Sequence, residues 1–143
     1  MTPDEKARAC ADAMWADDHA SRGLGMVLEA VAPGRSRLSM PVARTMVNGL
    51  GMCHGGFIFT LADSAMAFAS NAYGDRTVAQ HATVTFVRPA QLGEVLVAEA
   101  AERMRAGRSG MYDVRVTGTD GTVVAEFRGH TRVIPTPPRH GRT

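Results

Sequence analysis

Apolar and polar positions follow two different periods along this chain, and the change of period divides it into elements. Near the start, Ala7, Ala9, Ala11, Met14 and Trp15 supply an apolar face, and Pro3, Asp4 and Glu5 suit a first helical turn, where acids meet the positive end of the helix dipole. A short helix is predicted over about residues 4–17. Two stretches with interleaved apolar and polar residues follow, 26–31 and 37–42, separated by Pro33-Gly34, and these predict a hairpin. Residues 56–73 are rich in Ala, Phe, Met and Leu, with neither Pro nor internal Gly, and predict one long helix apolar on nearly every side. Beyond it, the segments 77–88, 94–105, 109–117 and 122–134 are dense in Val, Thr, Phe or Tyr and read as strands. Pro89 with Gly93, then Gly107, then Asp120-Gly121 mark their turns. The four strands are expected to connect as a meander, which with the first hairpin gives about six antiparallel strands. A single apolar helix is then the element available to fill the concave face of that sheet, so the fold class is α+β. The tail from Pro135 onward, with Pro137 and Pro138, is expected to be loose.

Composition narrows the picture. With 143 residues, 45% of them hydrophobic and 21% charged, the chain suits a single domain, 1–143, with enough apolar material for a core. Sixteen basic residues against fourteen acidic ones leave a formal charge of +2, and the basic residues are scattered, so neither a nucleic-acid-binding stripe nor a membrane-surface stripe is expected. The span from Gly51 to Tyr73 is about as long as a membrane crossing, but Thr60, Asp63, Ser64, Ser70 and Asn71 within it favour a helix wrapped by a sheet. Cys10 and Cys53 are too few for a disulfide scaffold. Asp4 and Glu5 stand where a secretory signal would carry positive charge, so a cytoplasmic protein is expected.

Asp63 is the most informative single residue. It is the one formally charged side chain between Gly51 and Tyr73, flanked by Leu61, Ala62, Ala65 and Met66. An unpaired acid there is desolvated, its pKa rises, and it becomes a candidate base or nucleophile; an arginine partner would instead make it structural. The second feature is Cys53-His54-Gly55-Gly56, immediately before the long helix. Helix-initial N–H groups lack acceptors inside the helix and can stabilise negative charge on a carbonyl oxygen, although two glycines also simply permit a sharp turn into a helix. Gly55 and Asp63 are eight positions apart, so the helix separates them by about 12 Å and turns them about 80° out of line. One copy cannot present both to one carbonyl. If the two act together, an antiparallel helix from a second subunit must bring its Asp63 to this Gly55, which gives two equivalent sites across a twofold interface.

Val47-Asn48-Gly49, Cys53-His54-Gly55-Gly56, Phe59-Thr60-Leu61-Ala62-Asp63, Thr85-Phe86-Val87-Arg88-Pro89 and Phe127-Arg128-Gly129, read in order, resemble the hotdog-fold acyl-CoA thioesterases, above all the phenylacetate-degradation (PaaI-like) subgroup. The resemblance spans about residues 20–134. It implies a hotdog fold, with Gly55 as the oxyanion-hole glycine and Asp63 as the catalytic acid from the partner subunit, working as base or nucleophile. It implies that Asn48 and His54, with Gly55 and Gly56, position the thioester and water. It also implies a homotetramer built as a dimer of dimers, an aromatic acyl group, and no cofactor, since CoA belongs to the substrate.

Other readings of the same residues remain. Asn48-Gly49 also suits a tight turn, and His54 a loop histidine satisfied by backbone groups. Cys53 beside His54 suggests a cysteine nucleophile, but neighbours in sequence rarely point at each other and no third orienting group is evident. Cys53, His54, His81 and His130 lack any metal-ligand spacing, so no metal is expected. The expected function is hydrolysis of an acyl-CoA to free acid and CoA. A non-catalytic acyl-CoA-binding module and a hotdog hydratase or dehydratase are the alternatives.

Overall fold

The computed structural model describes residues 1–135, so the tail expected beyond Pro135 lies outside the described residues. Helix α1 (Pro3–Asp17) begins with a capping box: the Thr2 hydroxyl accepts from the Glu5 N–H while the Glu5 carboxylate accepts from the Thr2 N–H. A five-residue helix, α2 (His19–Gly23), follows and has no counterpart in the expected elements. Its signal is local: Asp18 accepts from both the N–H and the hydroxyl of Ser21. Strands β1 (Val27–Ala32) and β2 (Arg35–Pro41) form the expected hairpin, turning at Gly34, whose φ of 70° lies in the left-handed region.

Helix α3 (Gly55–Ser70) is the long central helix, and its last expected turn, Asn71–Tyr73, tightens to a 3-10 turn. Strands β3 (Thr77–Phe86), β4 (Val95–Ala106), β5 (Ser109–Thr117) and β6 (Val123–Val133) complete a six-stranded antiparallel sheet. The strand order, β1-β2-β4-β5-β6-β3, corrects the expected four-strand meander. Only β4, β5 and β6 run as consecutive hairpins; β3 pairs with β6 and not with β4. The cause is that α3 crosses the concave face between β2 and β3. The chain therefore returns along the far edge, and residues 87–94 carry it back across the end of the sheet to β4.

Alternate residues of the sheet face the helix: Leu38 and Met40, Leu96 and Ala98, Tyr112, Val114 and Val116, Ala125 and Phe127 are all buried. They pack on Ile58, Leu61, Ala62, Ala65, Met66, Phe68 and Ala69 of α3. Gly129 lets the helix approach β6, because a Cβ there would overlap the Met66 Sδ atom. A buried contact between the Ser21 and Ser64 hydroxyls, 2.8 Å, ties α2 to the helix. No described helix is long and apolar enough to cross a membrane.

Among the described residues, two surfaces remain uncovered. Strand β3 is a ten-residue edge strand with most of its residues exposed, Val78 and Phe86 among them. Helix α3 is not apolar all round: Gly56, Thr60, Asp63 and Ala67, at helical spacing, form a stripe left out of its buried set.

Candidate active site

The backbone before α3 is held by its own hydrogen bonds. Val47 and Cys53 pair as a β-bridge, and the loop between them folds around Asn48. Its side-chain oxygen accepts from the N–H groups of Leu50 (2.9 Å) and Met52 (3.2 Å), and its backbone carbonyl accepts from Gly51 (3.1 Å). Asn48 is thus the staple of this turn, and its Nδ2 group donates to no other described residue. The Cys53 N–H donates to the carbonyl of buried Ala90 (2.8 Å) and the His54 N–H to that of Met46 (2.7 Å), which fixes where the helix starts.

His54 is the helix cap: its Nδ1 accepts from the Gly56 N–H at 3.1 Å, and its carbonyl accepts from Phe57 at 3.0 Å. Accepting at Nδ1 places the imidazole proton of neutral His54 on Nε2. Of the first three helical N–H groups, that of Gly55 alone has no acceptor among the described residues. Gly55 itself lines a cleft of about 400 Å³, together with Asn48, Met52, Cys53, Ile58 and the Phe86–Pro89 segment. The Phe86 ring lies over Gly55 so closely that a Cβ there would sit 2.9 Å from the ring's Cζ. A free N–H at a helix N-terminus beside an apolar cleft is a donor poised for a developing oxyanion.

Asp63 lies elsewhere. It is partly buried on the uncovered stripe of α3 and makes no hydrogen bond or ion pair with any described residue, so among the described residues it has no arginine partner. Burial holds its carboxyl above the ordinary aspartate range. Asn48 and Gly55 therefore share one cleft, His54 and Gly56 build the helix cap beside it, and Asp63 is about two helical turns away.

Cys53 borders the cleft, but burial and then the nearby Glu94 carboxylate push its thiol pKa up, and its sulfur donates to the His54 carbonyl rather than facing the imidazole. His81 and His130 face each other across β3 and β6 with ring centroids 5.5 Å apart, far in sequence from Cys53 and His54. No group of three or more His, Cys, Asp or Glu residues among the described residues is arranged to hold a metal.

The thioesterase superfamily model matches residues 50–125, which run from the Asn48 turn through α3 to β6. The acyl-coenzyme A thioesterase PaaI of Escherichia coli (strain K12) is 36% identical over 129 residues, 90% of this chain and 92% of that protein. The chain belongs to the thioesterase superfamily. Its fold is the hotdog fold: the solved structure of the E. coli PaaI protein from the phenylacetic acid degradation operon superposes with a TM-score of 0.92 at 35% identity, covering 94% of this chain and 97% of that one. A variant of the phenylacetic acid degradation protein PaaI from Thermus thermophilus superposes with a TM-score of 0.79 at 33% identity, covering 82% and 100%.

For a thioesterase, the cleft wall formed by Phe86, Val87, Arg88 and Pro89 is the part that sequence reasoning leaves without a role. The segment stands out as a motif, but its placement over Gly55 depends on β3 lying at the far edge of the sheet.

Proposed function

We propose that this chain is an acyl-CoA thioesterase of the PaaI type, hydrolysing an acyl-CoA to the free acid and CoA at a site shared by two subunits. One observation carries the reading. Gly55, whose N–H has no acceptor among the described residues, lines an apolar cleft, while the partly buried carboxylate of Asp63, unpaired among the described residues, sits on the same helix but out of its reach.

A second copy supplies the missing half. Antiparallel packing of two α3 helices about a twofold axis near Phe59 sets residue 55 of one opposite residue 63 of the other. The stripe of Gly56, Thr60 and Ala67 is small enough for helix axes about 8–10 Å apart. The same twofold axis suits pairing of two β3 edges, which would satisfy the exposed backbone groups of that strand. Covering Asp63 in this way desolvates it further and raises its basicity.

In the mechanism the thioester carbonyl oxygen accepts from the Gly55 N–H, and the acyl group lies along Met52, Ile58 and Phe86. The partner's carboxylate takes a proton from water as the hydroxyl adds to the carbonyl carbon. The tetrahedral oxyanion is stabilised at Gly55, then the C–S bond breaks and CoA leaves as thiolate, which takes up the proton. Asn48 keeps the cleft floor in place and offers its Nδ2 hydrogens, and His54 with Gly56 holds the helix start. A carboxylate that attacks the carbonyl directly is the variant of this scheme that Asp63 also permits. No cofactor is needed, because hydrolysis consumes only water and CoA arrives with the substrate.

The acyl group proposed is aromatic, as the subgroup resemblance implies; the Phe, Met and Ile lining suits it. Assembly as a dimer of dimers and a cytoplasmic setting complete the proposal, the latter supported by the two free thiols, Cys10 and Cys53. The test is thiol release from phenylacetyl-, benzoyl- and medium-chain aliphatic CoA esters. Release with an aromatic preference supports the reading; binding of the esters without release would make the chain a binding module.

A further inference from the structure

Arg88 borders the cleft but has no task in the mechanism, and a cationic side chain beside an acyl-CoA site invites the role of phosphate ligand. Its hydrogen bonds exclude that role. A guanidinium has five N–H donors, and all five are spent inside the chain. Nε donates to the Thr122 hydroxyl at 2.7 Å. Nη1 donates to the Pro89 carbonyl at 2.8 Å and to Glu94 Oε2 at 3.2 Å. Nη2 donates to Glu94 Oε1 at 2.9 Å and to Asp120 Oδ1 at 3.2 Å.

The acceptors are themselves anchored. Glu94 Oε2 also accepts from the Gln91 N–H at 2.7 Å, and Asp120 Oδ1 accepts from both the N–H and the hydroxyl of Thr122. The Arg88–Glu94 pair is mostly shielded, with side-chain exposures of 27% and 17%. Gly118 makes room for it: a Cβ there would overlap both Arg88 Nη2 and Glu94 Oε1. The cluster joins the two ends of the short β3–β4 connection to each other and to the β5–β6 turn, more than thirty residues from Arg88.

From there the constraint runs to the reaction centre by two short routes. Phe86 and Val87, just before Arg88, form the cleft wall over Gly55. Ala90, two residues after it, is the acceptor that fixes the Cys53 N–H, and Gly55 follows two residues later. We infer that Arg88 is a positioning residue, which with Glu94 clamps the 86–94 segment and so sets both the cleft wall and the Gly55 donor, and that it binds no CoA phosphate. The inference rests on the thioesterase reading for its activity readout and on geometry alone for its structural one.

The test compares Arg88→Lys with the parent chain on two thioesters of the same acyl group, the CoA ester and the N-acetylcysteamine ester, which lacks every phosphate. Lysine keeps the charge but offers three donors without the planar fork. The clamp predicts a fall in kcat of about 10- to 100-fold, by the same factor on both esters, with KM for the CoA ester changed by less than about threefold. It also predicts faster amide exchange at Cys53 and Val87. A loss confined to the CoA ester would make Arg88 a phosphate ligand and overturn the inference, as would unchanged kcat with unchanged exchange. Should Arg88→Lys fail to fold, Glu94→Gln, which keeps the shape and halves the charge pairing, is read in the same way. If the parent chain hydrolyses neither ester, the thioesterase reading fails, and the exchange measurement still decides the clamp.

Discussion

Replacing Gly55 with proline removes its backbone hydrogen-bond donor while leaving the helix start intact, which makes it a direct probe of the oxyanion site. Gly55 is the first helical residue after the His54 cap, a position where proline is well tolerated because that N–H has no acceptor within the helix. His54 has ψ of 133°, within the range that a residue before proline prefers. The helix-capping bonds from Gly56 and Phe57 to His54 do not involve the Gly55 nitrogen. Two steric consequences follow: the ring Cδ takes the place of the amide hydrogen, and the new Cβ meets three carbons of the Phe86 ring at 2.9, 3.2 and 3.3 Å, closer than the ~3.5–4.0 Å of ordinary carbon contact. Phe86 is 49% exposed and can swing outward, so the strain stays at or below the ~1–3 kcal/mol typical of overpacking. Gly55→Ala carries the same Cβ but keeps the N–H, and is the control. The two variants should therefore melt within a few degrees of each other, while the proline variant loses a further ~100- to 1,000-fold in kcat, or ~2.7–4 kcal/mol of transition-state stabilisation. Thiol release under saturating acyl-CoA, with thermal melts alongside, measures both. Equal kcat for the alanine and proline variants would refute the assignment of the Gly55 N–H to the oxyanion.

Asp63→Asn should lower kcat by ~100- to 10,000-fold while leaving assembly intact. It should also raise the melting temperature at pH 7. Burial lifts the native carboxyl's pKa above its ordinary 3.8, so between that value and the raised one the native state holds the extra proton and stability falls as pH rises. A lower-melting Asn variant would contradict the desolvation, and wild-type turnover should fall as pH drops through a value above 3.8. Asn48→Ala removes two acceptor bonds of the 48–52 turn at a cost of about 1 kcal/mol each, which should show as faster amide exchange at Leu50 and Met52 with reduced kcat/KM. Unchanged exchange there would remove Asn48 as the staple. Gly129→Ala forces a Cβ onto Met66, 2.8 Å from its Cε, and should cost ~1–3 kcal/mol in urea denaturation; an unchanged midpoint would mean that α3 does not pack as described.

Elements whose formation is decided within a few residues were legible in the sequence. Pro3, Asp4 and Glu5 announce α1, the glycine pair announces the start of α3, and alternation of Val and Thr with polar residues announces the strands. The strand order was not legible, because pairing of β3 with β6 is decided by where α3 lies and not by either strand. Helix α2 escaped because five residues are too few to show a period; only Asp18, three residues before Ser21, hints at it. In the candidate site the isolation of Asp63 was readable, since one acid in a long uncharged run stands out. The separation of residues 55 and 63 followed from helix geometry. Phe86 over Gly55, and the bonds of Arg88 to Thr122 and Asp120, were not readable, because each joins residues about thirty or more positions apart; the bonds of Arg88 to Pro89 and Glu94 are local, but they depend on how the β3–β4 connection folds.

Mixing two inactive variants tests the shared site most directly. Gly55→Pro and Asp63→Asn chains, unfolded together and refolded as one pool, form homodimers with two damaged sites and heterodimers in which one site carries both lesions and the other carries neither. If each site joins Gly55 of one subunit to Asp63 of its partner, random pairing restores about a quarter of wild-type thiol release. No recovery from a pool shown to contain heterodimers would mean that each chain holds its own complete site, and would contradict the account.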